Sequence, residues 1–288
     1  MASPFELIVE IEPPTKPSLV HARHQIGVLG KVADAYLVPD NHLGRATVSS
    51  IAVAREVASM GGRAIACLNS RDRNVLGFRR DLLTAAAYGV DEFLLIYGDR
   101  PDVGRRSDDV SVRRMIEEIR TFGATDVFAG CRPFRVGATT RLTAIAPFKA
   151  AADFLVTQVS HDMDALARWR DSVAFDGPVY AGVMVVASAA MARKLGAESE
   201  QLAVPQWLVD AVDADRMAGV DAACTLAARI RDHGGFAGVH LIGVGRYRDV
   251  AARLEHDGWA NRASPRASER SGTARAARTT PSPGPASR

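Results

Sequence analysis

Carboxylates, arginines and amides recur in this chain directly after apolar runs. Glu10 and Glu12 lie at the end of Leu7-Ile8-Val9-Glu10-Ile11-Glu12, which stops at Pro13-Pro14. Two residues apart on a strand they share a face, and proline cannot continue a central strand. A carboxylic acid placed there can deliver a proton if burial raises its pKa toward neutrality. A second carboxylate either raises that pKa further by repulsion or is a solvated neighbour. Asp40 and Asn41 follow the run 33–38, Ser70-Arg71-Asp72-Arg73-Asn74 follows 64–68, and Gly98-Asp99-Arg100-Pro101 follows 92–97. Arg132, Gln158 and Arg246 come after three further runs. Guanidinium groups bind phosphate in bidentate fashion, and a glutamine offers both donors and an acceptor to a polar edge. In isolation, Arg71-Asp72-Arg73-Asn74 also reads as a helix cap with solvated arginines.

The elements that position these groups follow from hydrophobic periodicity. Strands are expected at 7–12, 33–38, 64–68, 92–97, 126–130, 154–157, 179–184 and 238–243. Helical patterns fall at 49–60, 76–88, 110–122 and 141–151, with an extra helix at 187–195 and a last one reaching about His233. Gly61-Gly62 and Gly89 stop the first two. Strict alternation of strand and helix implies parallel strands with crossover helices. Eight such units in one domain-sized chain predict an α/β fold, a (β/α)8 TIM barrel, with a doubly wound open sheet as the alternative. In a barrel the strand C-termini share one mouth, so the polar residues above converge on a small-molecule site.

Composition narrows the function classes. The chain has 288 residues, 47% hydrophobic and 24% charged, ordinary for a globular protein. No apolar run reaches the ~20 residues of a membrane helix, and the N-terminus carries no signal-peptide pattern. Cys67, Cys131 and Cys224 form no CxxC or Cys/His cluster, so no metal site is expected, and their usage fits a reducing cytoplasm. The formal charge of +3 comes from the end of the chain, where six arginines from Arg262 to Arg288 face one acid, Glu269. The rest is net acidic, which excludes a nucleic-acid-binding charge pattern. Residues 1–258 read as the barrel domain, and 259–288, rich in Arg, Ala, Ser, Thr and Pro, as a disordered tail.

The ordered set Glu10-Ile11-Glu12-Pro13-Pro14, Asp40-Asn41, Arg71-Asp72-Arg73-Asn74, Asp81-Leu82-Leu83, Gly98-Asp99-Arg100-Pro101, Thr157-Gln158 and Val204-Pro205-Gln206-Trp207 resembles methylenetetrahydrofolate reductase, most closely its shorter bacterial branch with an Arg-Asp-Arg-Asn loop. The resemblance spans about residues 5–255. It implies a flavin-bearing barrel, with FAD or FMN, that passes hydride from NADH or NADPH to 5,10-methylenetetrahydrofolate, giving 5-methyltetrahydrofolate. Glu10 matches the family's general acid, and Asp99 the aspartate beside flavin and pterin. Gln158 matches the glutamine that reads the pterin edge, and Arg246 a folate-contacting arginine. Asn41, Arg71, Arg73, Asn74, Gly98, Asp99 and Arg132 are the expected cofactor contacts. Relatives are often oligomeric, so a homo-oligomer is expected, without nucleic-acid or membrane partners.

The pattern departs from the family at Cys67, at Ala150-Ala151-Ala152, at Arg132 and at Ala192, where relatives carry a further glutamine. These positions bear on the flavin and on the substrate. The competing readings are a folate-binding barrel that has lost redox chemistry, and a different barrel enzyme such as a folate-linked methyltransferase or lyase.

Overall fold

A computed structural model describes residues 4–198 and 202–259. Eight parallel strands close into a barrel in chain order, β1 pairing with β8. They are β1 (Glu6–Glu10), β2 (Ala35–Val38), β3 (Ala64–Asn69), β4 (Glu92–Ile96), β5 (Arg135–Thr140), β6 (Phe154–Val159), β7 (Val179–Met184) and β8 (Gly238–Ile242). The first helices outside them are α1 (Val20–Leu29), α2 (Ser50–Ser59), α3 (Val75–Ala87), α4 (Val112–Thr121) and α5 (Met163–Ser172). Then come α6 (Ala189–Glu198), α7 (Gln206–Ala214), α8 (Ala218–His233) and α9 (Tyr247–His256).

Alternation along each strand builds two cores. Ile8, Leu37, Ile65, Cys67, Leu94, Phe154, Val156 and Tyr180 fill the barrel interior. Leu7, Val9, Val183, Val239 and Leu241 face outward onto the helices. The insertion α6–α7 has its own small core, with Val186, Ala189, Ala192, Leu208 and Val212 buried together.

The fifth unit differs from expectation. Residues 126–128 form a 3-10 turn rather than a strand, and β5 begins at Arg135. In place of the earlier apolar run, Arg135-Val136-Gly137-Ala138-Thr139-Thr140 pairs with β4 and β6. Its small residues are demanded by packing, because a Cβ at Gly137 would sit 2.2 Å from the Phe154 ring. The helix expected over 141–151 is only a 3-10 segment, Pro147–Ala151. At the other end of the chain, Trp259 is 1% exposed and meets the Phe5 ring at 6.1 Å, so packing continues one residue past the expected boundary. The remainder of the expected tail lies outside the described residues. Among the described residues, no helix is long and apolar enough to cross a membrane.

The barrel floor is ionic. Arg63, just before β3, bridges Glu6 Oε2 at 2.9 Å and Glu92 Oε2 at 3.0 Å. Arg135 Nη1 meets Glu92 Oε2 at 2.8 Å, and the Tyr180 hydroxyl donates to Glu6 at 2.6 Å. Burial opposes the charge on Arg63, yet Glu92 and Glu6 outweigh it and raise its pKa. Burial and the Glu6 carboxylate together push the Tyr180 phenol up.

Candidate active site

Glu10 ends β1 on the same inward face as Ile8, so its carboxylate enters the mouth of the barrel. His240, third residue of β8, also points inward. Its Nε2 lies 3.3 Å from Glu10 Oε2 without an aligned hydrogen bond, and the side chains are 8% and 11% exposed. The imidazole and the carboxyl can therefore exchange a proton in a place largely shielded from water. Cys67 completes this wall. Burial first, then the charges of Glu10 and Asp40, push its thiol well above the usual range. Glu12 turns away from this group, and its carboxylate accepts from the Gly245 N–H in the β8–α9 loop.

The Arg-Asp-Arg-Asn loop is held by side chains from β2 and β3. Asn69, the last residue of β3, donates to Asp40 Oδ2 at 2.9 Å and to Asp72 Oδ2 at 2.8 Å. Arg73 is paired with Asp40 and with Asp81 at 2.9 Å, and donates to the Asn69 carbonyl. Asn74 caps α3, its Oδ1 accepting from Gly77 N at 2.7 Å. Asn41 donates to Asp72 at 2.8 Å. Among the described residues, Arg71 is the member left free at its guanidinium edge. Its plane stacks on Tyr97 at 4.3 Å, and its Nε is buried without a hydrogen-bond partner.

Asp99 sits in the β4–α4 loop, where its Oδ2 accepts from the Leu43 N–H at 2.8 Å. Gly98, just before it, backs onto the Asn69 side chain. Gln158 lies near the C-terminal end of β6, at the bulge between Val156 and Val159; it is exposed, and its amide has no partner among the described residues. Glu10, Asp99 and Gln158 thus belong to one mouth.

One expected site residue does not, and a second stands at the rim of the mouth with its guanidinium already engaged. Arg132 precedes β5 rather than following it, so it lies toward the N-terminal end of the barrel, paired with Asp91 at 3.0 Å and donating to the Gly89 carbonyl. Arg246 begins the turn into α9, and its guanidinium is taken by Asp249 at 2.6 Å and the Arg216 carbonyl at 2.9 Å. Sequence reasoning missed His240 and Asn69. Both carried a signal, a polar residue at inward parity in an otherwise apolar strand.

A cavity of about 440 Å³ adjoins the mouth at Met184, between α7, α8 and the β6–α5 loop. Trp207 and His161 line it, and burial lowers the His161 pKa. Larger grooves of about 520 and 470 Å³ lie on outer helices, one between α1 and α9 and one against α5, and share no residue with the mouth described above.

A family model described as methylenetetrahydrofolate reductase matches residues 35–256. The chain belongs to the methylenetetrahydrofolate reductase family. Among curated proteins no match is found. Solved structures share the fold at low identity. One is an uncharacterized protein from Clostridium thermocellum that binds two copies of 5-methyl-5,6,7,8-tetrahydrofolic acid, with TM-score 0.63 and 9% identity over 89% of this chain and 96% of that one. Apo-MsnO8 gives TM-score 0.55 and 14% identity over 90% and 98%. A mutant tryptophan synthase α-subunit from Pyrococcus furiosus gives 0.50 and 12% over 89% and 97%.

Methylenetetrahydrofolate reductases generally use a flavin, and the expected contacts can be tested against this geometry. Arg73 is held by two carboxylates, Asn74 by its own helix, Asn41 by Asp72, and Arg132 stands at the other end of the barrel. Arg71 alone offers unpaired guanidinium donors. The expected set does not fit a flavin phosphate and ribitol.

Proposed function

We propose that this protein reduces 5,10-methylenetetrahydrofolate to 5-methyltetrahydrofolate with NADH or NADPH as the source of hydride. The observation that carries the reading is the buried Glu10 carboxyl facing His240 at 3.3 Å inside the mouth of a family barrel. The substrate holds its one-carbon unit between two nitrogens in a five-membered ring. Glu10 gives its proton to the leaving nitrogen as that C–N bond breaks, which opens the ring to an iminium. Hydride then adds to the iminium carbon, giving the methyl group and the oxidised nucleotide, and Glu10 is reprotonated through His240. Asp99 and Gln158 accept from and donate to the pterin edge. The folate bound by the Clostridium thermocellum protein supports the ligand class. Family membership implies FAD or FMN as hydride carrier, but Arg73, Asn74, Asn41 and Arg132 among the contacts expected for it are engaged elsewhere, so no step here runs through a flavin.

The test is turnover. Purified protein given methylenetetrahydrofolate and NADH or NADPH consumes nucleotide and forms 5-methyltetrahydrofolate, and its visible spectrum shows whether a flavin is retained. Protein that consumes no nucleotide, even with added FAD or FMN, sinks the reductase reading. The second reading, a folate-binding barrel without redox chemistry, is favoured by the same engaged cofactor contacts. It is distinguished by calorimetric binding of 5-methyltetrahydrofolate in the absence of turnover.

A further inference from the structure

The β2–α2 loop is folded in a way its sequence does not favour. Asn41, Leu43 and Gly44 all have positive φ, at 47°, 58° and 72°. Asparagine and glycine tolerate the left-handed region, but leucine does so at a cost in strain. Burial does not compensate, because Leu43 is 58% exposed. Strained backbone of this kind persists only where its surroundings over-determine it.

The surroundings are the β4–α4 loop. The Leu43 N–H donates to Asp99 Oδ2, 2.8 Å away. Asp102 N donates to the Gly44 carbonyl at 3.0 Å. A Cβ on Gly44 would stand 1.9 Å from the Arg100 carbonyl oxygen, so the two loops touch backbone to backbone and only glycine fits. The base of the strap is tied as well. Gly44 N donates to the Asn41 carbonyl at 3.0 Å, and the Asn41 side chain reaches Asp72.

We propose that this strap is a positioning device for Asp99, with the Leu43 main-chain N–H as its working group. Asp99 lies on an exposed loop, where a free carboxylate would sample several rotamers. The Leu43 N–H fixes Oδ2, and Oδ1, which has no partner among the described residues, is left aimed for a ligand donor. A ligand edge with adjacent N–H groups, such as the cyclic guanidine of a 2-amino-4-oxopterin, then meets an acceptor already in place and loses less freedom on binding. This inference rests on the folate reading for the identity of the ligand. It does not rest on that reading for the contact.

The test has one arm without ligand and one with it. In the free protein, hydrogen exchange followed by NMR shows the Leu43 amide protected in wild type and unprotected in Asp99→Ala, with the barrel strands unchanged. A Leu43 amide that exchanges freely in wild type overturns the proposal. With 5-methyltetrahydrofolate as probe, Gly44→Ala weakens binding about tenfold in the wild-type background and less than about twofold in Asp99→Ala, since the strap acts through that carboxylate. Equal losses in both backgrounds overturn it, for the glycine is then merely structural. Leu43→Gly keeps the N–H, relieves the strain and binds within about twofold of wild type. A wild type with no affinity for the folate overturns the functional reading instead, and a protected Leu43 amide in that protein still supports the positioning of Asp99.

Discussion

Both ends of the barrel are polar inside, yet they are built on opposite terms. At the N-terminal end the buried ionic groups have found complements: Arg63 spans Glu6 and Glu92, Arg135 shares Glu92, and Tyr180 donates to Glu6. At the C-terminal end Glu10 faces an imidazole without an aligned hydrogen bond, and among the described residues Gln158 has no partner and Asp99 keeps one oxygen open. Charge that is fully paired and buried holds structure, and removing one partner leaves a costly orphan. Polar groups left short of partners are what a ligand can complete. The C-terminal end also holds paired charges, Arg73 with Asp40 and Asp81, so what separates the two ends is the polar groups left short of partners.

That contrast can be broken experimentally. Glu10→Gln should lower folate turnover by about 10³-fold, in the range for loss of a general acid, while the urea midpoint stays near that of wild type. A comparable loss of stability with intact turnover would reverse the roles assigned to the two ends. Glu92→Ala should do the opposite, costing about 3–5 kcal/mol of stability by stranding Arg63 and Arg135, with turnover per folded molecule preserved. Asn74→Ala should cost about 1 kcal/mol as a lost helix cap and leave nucleotide KM unchanged; a raised KM would restore this residue to the cofactor site. A last effect concerns alkaline pH. Burial raises Cys67 well above its usual value and takes Tyr36 and Cys224 to about 12. The native state therefore holds these protons when the unfolded chain has begun to lose them, and stability should fall as pH rises above about 9, by at most about 1.4 kcal/mol per pH unit for each group. Urea midpoints compared on either side of that pH measure the slope.

Much of the mouth could be read from the chain because strand ends are marked by chemistry that sequence displays. Proline after Glu12, a charged loop after Leu68 and Gly98-Asp99 after Tyr97 each announce a strand finishing at a polar rim, and Glu10 and Asp99 stand at the C-terminal ends of β1 and β4. The fifth unit was illegible for the converse reason. Its strand is small and polar because the Phe154 ring occupies the space beside Gly137, whereas the more apolar Asp126–Phe128 segment packs as a turn beneath Phe134. Arg132 was misplaced with it. His240 and Asn69 were hidden by their surroundings, since a run of apolar letters conceals inward polar groups until the pleat is known. The commitments of Arg73 and Arg246 were also invisible, because their carboxylate partners are chosen by tertiary approach rather than by spacing.

Trp259 and Phe5 meet edge to face where β1 closes onto β8. This contact joins the two extremes of the barrel sequence, and its consequence is temporal. On a ribosome β1 emerges first and pairs on one side with β2, but its other edge waits until nearly the whole domain has been made. An unpaired parallel edge is exposed to wrong pairing for all of that time, so the stretch that delivers β8, and after it α9 and the Trp259 indole, is also what makes the protein safe from its own first strand.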